Sequence, residues 1–241
     1  MHRPVRLGGI VVVAAVVLGS CSSSPATPSS RANETATQVA AAAAQALDSA
    51  SSVHVVAHNV SGGDGLSYTG CVYRNGNGAL HMTSAGATFD VVVTGGTAYF
   101  KASYGLLKWL GFGGNPSKTG AIPGVGWVRM PATALDAKTI LQWPGMNGGS
   151  PSTWTSPHAL VSVNYHGAKA VSFRYGSEPQ GVGVVYVADT GKAWPLGVVV
   201  TDANGTGTAS FTGWNRCVVL SAPVHSITES AFLKRLELHP T

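Results

Sequence analysis

The sequence predicts an α+β domain: an antiparallel meander sheet, one N-terminal helix and two further short helices. Three features predict it. From Val53 onward, apolar residues alternate with a period of two in short runs separated by glycine turns. A single alanine-rich run over residues 38–47 has the composition of a helix. Two segments, 104–112 and 134–143, are apolar without alternating, which suits short helices.

The elements follow in order. The first helix opens at Asn33 and ends in Ser49 to Ser52. It places Val39, Ala43, Ala46, Leu47 and Ala50 on one face, and their small side chains permit close approach to a sheet. Strands are expected over residues 53–60, 66–74, 79–84, 88–94 and 97–102, with Asn75-Gly76 a hairpin signal. After the first short helix a strand at 127–130 is ended by Pro131, and the second short helix follows. Strands resume at 159–165, 169–175, 182–188, 195–202 and 207–214. Their turns are His166-Gly167, residues 176–181, Thr190-Gly191 and Asn204-Gly205. Ser226-Ile227-Thr228-Glu229 fits a capping box, so a terminal helix is expected over 226–236.

The N-terminus carries an address. Arg3 and Arg6 precede an uncharged apolar run from Leu7 to Leu18, too short for a comfortable membrane span. Leu18-Gly19-Ser20-Cys21 resembles a bacterial lipobox. On that reading residues 1–20 are a lipoprotein signal peptide, and Cys21 carries the lipid that anchors the chain to the plasma membrane, on its extracytoplasmic side. The alternative is an ordinary signal peptide that ends near a cysteine. Residues 21–32 are rich in Ser, Pro, Thr and Ala and read as a flexible tether. Residues 33–217 form the domain, and 218–241 a C-terminal extension.

Composition narrows the function. The chain has 241 residues, 31 of them glycine, and only 10% are charged. The formal charge of +5 falls to about +3 without Arg3 and Arg6, and the cations are scattered, so no nucleic-acid partner is expected. With Cys21 assigned to lipid, Cys71 and Cys217 remain. In an oxidising compartment such a pair forms a disulfide; two buried free thiols are the alternative. Enzyme signatures are lacking: there is no G-x-S-x-G, no S-x-x-K and no Walker A loop. His54 and His58 share a strand face roughly 13 Å apart, too far to hold one metal ion. The expectation is no catalysis, no metal and no cofactor.

Several phrases are familiar: Ser51-Ser52-Val53-His54, Thr97-Ala98-Tyr99-Phe100, Trp127-Val128-Arg129-Met130-Pro131, and Val185-Tyr186-Val187-Ala188 leading to Pro195-Leu196. With the lipobox and the order of elements, they resemble the LppX/LprAFG family of mycobacterial and related actinobacterial lipoproteins, over roughly residues 35–214. The resemblance implies a LolA-like half-barrel of antiparallel strands with helices on its concave face. It also implies an apolar cavity between them that holds acyl chains of lipids or glycolipids. The cysteine pair, the long tail and the glycine-rich loop 111–126 depart from the family pattern. For the cavity wall the sequence offers Leu106, Leu107, Trp109, Leu110 and Phe112 from the first short helix, and Ile140, Leu141 and Trp143 from the second. Val91, Val93, Tyr99 and Phe100 are the candidates on the sheet. The alternative is that these residues form a filled core, in a surface-anchored module that engages an envelope protein partner.

Overall fold

Thr35 starts the first helix. Its side-chain oxygen accepts from the Gln38 amide at 3.2 Å, while the Thr35 amide donates to Gln38 Oε1 at 2.8 Å. This capping box satisfies two donors that the first turn leaves orphaned, so α1 spans Ala36–Asp48, later than the expected start at Asn33. The expected face is the buried one: Val39, Ala43, Ala46, Leu47 and Ala50 are all at most 3% exposed. The computed structural model describes residues 29–61, 65–84, 87–109, 122, 125–133, 141, 151–177, 181–203 and 205–237. The expected signal segment and Cys21 lie outside them.

Among the described residues, twelve strands form one open sheet. The first run contains β1 (Ser52–Ser61), β2 (Leu66–Tyr73), β3 (Gly78–Ser84), β4 (Ala87–Thr94), β5 (Thr97–Lys101) and β6 (Trp127–Pro131). Helix α2 (Tyr104–Trp109) lies between β5 and β6 and packs on β4. The second run contains β7 (His158–Tyr165), β8 (Ala168–Ser177), β9 (Gly181–Ala188), β10 (Pro195–Asp202) and β11 (Gly205–Thr212). Last come β12 (Ser226–Thr228) and α3 (Glu229–Glu237). The order across the sheet is β12-β6-β5-β4-β3-β2-β1-β11-β10-β9-β8-β7. Each run is a meander of neighbours, as the alternation predicted. The two are joined by the antiparallel pairing of β1 with β11, so the first strand of one meets the last strand of the other.

This topology puts β6 and β7 at or near opposite edges. Two described residues of the connection between them pack on the sheet. Leu141 packs on Gly78 of β3, where a Cβ would come within 2.5 Å of the leucine side chain. Trp154 meets Phe173 of β8 edge-on at a centroid distance of 5.5 Å. Both lie on the inner face, the one that carries the core. Register makes that core continuous. Phe173, Val185, Val198, Ala209, Ala57, Tyr68 and Met82 form one row across seven strands, each at most 9% exposed. A second row runs through Leu80, Val91, Phe100 and Val128, none above 3%.

The C-terminal residues differ from the single helix expected at 226–236. Ser226, Ile227 and Thr228 pair in parallel with β6, and the helix starts only at Glu229. Thr228, not Ser226, supplies the capping oxygen, accepting from the Ala231 amide at 3.2 Å. The cause is the edge of the sheet: among the described residues β6 has no other partner on that side, and pairing satisfies its backbone groups. Phe232 of α3 then enters the core at 1% exposure.

Candidate functional site

The inner face is built by period-two alternation. On β4 it presents Val91 and Val93, buried at 1% and 3%, while Val92 faces out. Cross-strand partners share a face. Val91 stands opposite Phe100 and Val93 opposite Ala98, so these four line the inside. Tyr99 stands opposite Val92 and lies on the outer face, half-buried, away from the wall that the sequence reading assigned it to. Phe100, fully buried, takes that place. The neighbouring residues carry the signal: Thr97 and Lys101 share parity with Tyr99, and Ala98 shares parity with Phe100.

Of the first short helix, Leu107 is buried at 7%, and its amide donates to the Ser103 carbonyl at 3.2 Å. Leu106 and Trp109 belong to α2, with side chains outside the described set; Leu110 and Phe112 are outside the described residues altogether. Of the second, Leu141 is buried at 3%, over Gly78 and beside the row Val72, Val93 and Ala98. Ile140 and Trp143 lie outside the described residues, as does the expected helix around them. Val91, Val93, Leu107 and Leu141 therefore belong to one apolar cluster on the inner face.

Residues that the sequence reading did not select complete this face. Trp154, in what reads as a Gly/Ser/Thr loop, is only 7% exposed, and its indole Nε1 is buried without a hydrogen-bond partner among the described residues. Tyr175 lies across Gly183, where any Cβ would overlap the ring. Tyr68 is 5% exposed, and burial pushes its phenol up to about 12. A cavity of about 10 Å³, room for roughly one water, lies among Ala57, Tyr68, Val198, Val200 and Ala209.

The outer face is polar along β1 to β4. His58 contacts Ser67 at 2.7 Å, and His54 contacts Thr212 at 3.4 Å. His81 and Asp90 pair at 2.7 Å, with Lys101 3.6 Å from the same carboxylate. Among the described residues, no group of three or more metal-ligating side chains is present. Cys71 and Cys217 are joined by a disulfide, with Cα atoms 6.0 Å apart, which decides between the alternatives left open by the sequence. Cys71 shares the outer face with His54 and Ala79, so the bridge lies outside the apolar cluster. No helix of the described residues is long and apolar enough to cross a membrane.

No family model and no curated protein matches the sequence. Solved structures do match by shape. LprF from Mycobacterium bovis superposes with a TM-score of 0.53 at 16% identity, over 79% of this chain and 97% of LprF. The Mycobacterium tuberculosis lipoprotein LppX gives 0.49 at 13% identity, over 77% and 99%. This chain therefore has the fold of the mycobacterial lipoprotein LprF, as the resemblance to the LppX/LprAFG lipoproteins implied.

Proposed function

We propose that this protein is a cell-envelope lipoprotein, anchored through Cys21, that binds or carries a lipid or glycolipid by its acyl chains. The observation that supports it best is the inner face. One open sheet presents a wide apolar surface, and the segments laid over it, α2 and the one bearing Leu141, are not themselves strands of the sheet. The LprF-like fold supports the same reading. A lipid ligand needs little polar recognition, since each methylene taken out of water contributes about 0.8 kcal/mol. The buried Nε1 of Trp154 offers one donor for a carbonyl or hydroxyl oxygen of the ligand.

Among the described residues, Leu107 and Leu141 pack closely against the inner face. In this reading uptake lifts the cover around them, with acyl chains replacing those side chains against Val91, Val93 and Phe100. In this reading Leu106, Trp109, Leu110, Phe112, Ile140 and Trp143, the further apolar candidates of the sequence, also contact the acyl chains.

Native mass spectrometry of the protein purified from membranes tests it. Co-purifying lipid that is lost in Leu107→Asp or Leu141→Asp, with the fold retained by circular dichroism, is the expected result. The close packing of the described inner face favours a second reading, an anchored module that engages an envelope protein. A lipid-free chain whose melting temperature does not respond to added lipid selects that second reading and overturns the first.

A further inference from the structure

The chain enters the fold at one end of the sheet and is pinned there. The Ser30 hydroxyl donates to Asp189 Oδ1 at 2.7 Å, and the Arg31 amide donates to the same oxygen at 2.9 Å. The Arg31 guanidinium donates to the carbonyls of Ala188 and Gly191 at 2.9 and 2.6 Å. These partners form the turn between β9 and β10. The register places the start of β1 and the end of β11 at the same end of the sheet.

That end carries an unusual surface. Trp194 and Trp214 stack with centroids 4.9 Å apart and planes 5° from parallel. Lys192 lies 4.3 Å over the Trp194 ring. Trp214 leads into Arg216 and Cys217, and the disulfide and the Tyr73 hydroxyl to the Val218 carbonyl hold the chain against β2. Val218 and Val219 then stand 79% and 91% exposed. Cations outnumber anions here: Arg31, Arg74, Lys169, Lys192 and Arg216 against Glu34, Asp48 and Asp189, with Arg74 and Asp48 paired at 3.0 Å. Paired indoles beside lysine and exposed aliphatic side chains is the chemistry of a headgroup interface.

Tether length selects the same end. Residues 22–28 separate Cys21 from Ser29, which allows at most roughly 30 Å. Strand β1 alone has ten residues, roughly 33 Å of sheet. An anchored Cys21 therefore reaches the membrane easily with the entry end down, and falls short of it with the sheet inverted.

The geometry points to a membrane-docking surface at this end: Lys192, Arg216, the Trp194–Trp214 stack and Val218–Val219 rest on anionic phospholipid headgroups. This rests on the reading of Cys21 as the lipid anchor, and it adds an orientation that the anchor by itself does not set. The test uses the full chain purified in its processed form, reconstituted in vesicles of phosphatidylglycerol and phosphatidylcholine. An environment-sensitive fluorophore is attached at Val219→Cys or, at the opposite end of the sheet, at Thr206→Cys, with the native disulfide verified by mass.

The label at 219 is expected to shift to the blue on anionic vesicles and to return to its aqueous emission on neutral ones or in high salt. The label at 206 is expected to stay in water. Lys192→Glu with Arg216→Glu is expected to weaken the 219 contact by at least about tenfold. A label at 219 that stays in water while the protein sediments with anionic vesicles overturns the proposal, as does a shift at 206 in its place. Intact mass separates the two ideas. A chain without lipid at Cys21 defeats the anchor reading, and the 219 label on added vesicles then decides docking alone.

Discussion

Cys71→Ser with Cys217→Ser removes a cross-link between residues 146 apart in sequence. In the chain-entropy model, closing a loop of that length removes enough freedom from the unfolded state to be worth about 5 kcal/mol at 25 °C. Measured values for native disulfides fall at about 2–5 kcal/mol, so the expected loss is about 3–5 kcal/mol. A second effect acts in the folded state. The bridge pins the strap that leaves β11 at Trp214 and carries β12 and α3 to the far edge of the sheet. Without it, the contacts that remain at β12 and α3 include three residues of parallel pairing and the packing of Ile227 and Phe232. Guanidinium unfolding of the wild type and the double variant gives the global term from the midpoints. Hydrogen exchange gives the local one, as faster exchange in residues 226–237 than in β1 to β4. A double variant within about 1 kcal/mol of wild type, with unchanged exchange at 226–237, would refute both halves of the reasoning.

Two further predictions follow from named groups. Tyr68 has its phenol raised from 10.0 to about 12 by burial. The neutral form is therefore favoured in the folded state, and its contribution to stability is fully present below pH 10 and lost as pH rises through 12. The loss is on the order of 2–3 kcal/mol; Tyr68→Phe should flatten the stability profile between pH 10 and 12 relative to wild type, and an identical slope counts against the assignment. Thr35→Ala removes the capping oxygen of α1 and should cost about 0.5–2 kcal/mol in chemical unfolding; a change below that range means that packing of the alanine face, not the cap, fixes where α1 begins.

Much of the fold is legible in the sequence because it depends on local rules. Period-two alternation broken by glycine gives the strands of both meanders within a few residues. Alanine content with Val39 and Leu47 gives α1 and its buried face. The hairpin at His166-Gly167 is legible too: both residues sit at positive φ, 49° and 86°, in the conformation that such a turn demands. The candidate site is legible only in part. Two apolar residues in succession, Tyr99 and Phe100, must face opposite ways, and hydrophobicity alone does not say which faces in. Register against Val91 decides it. Trp154 was hidden because a loop composition says nothing about where one aromatic residue comes to rest.

The sequence by itself determined the class of the fold: one N-terminal helix, two antiparallel meanders, and a cysteine pair able to bridge them. These follow from nearest-neighbour chemistry, such as side-chain period, turn residues and composition. Only the tertiary structure decided how the meanders meet, through β1 and β11. It alone turned Ser226 to Thr228 into an edge strand by offering them the unpaired side of β6. It alone brought Lys192, Trp194, Trp214 and Val219 to the end where the chain enters. The physical reason is common to all three. Each depends on backbone groups or side chains far apart in sequence finding partners across the sheet, and no local pattern encodes those distances.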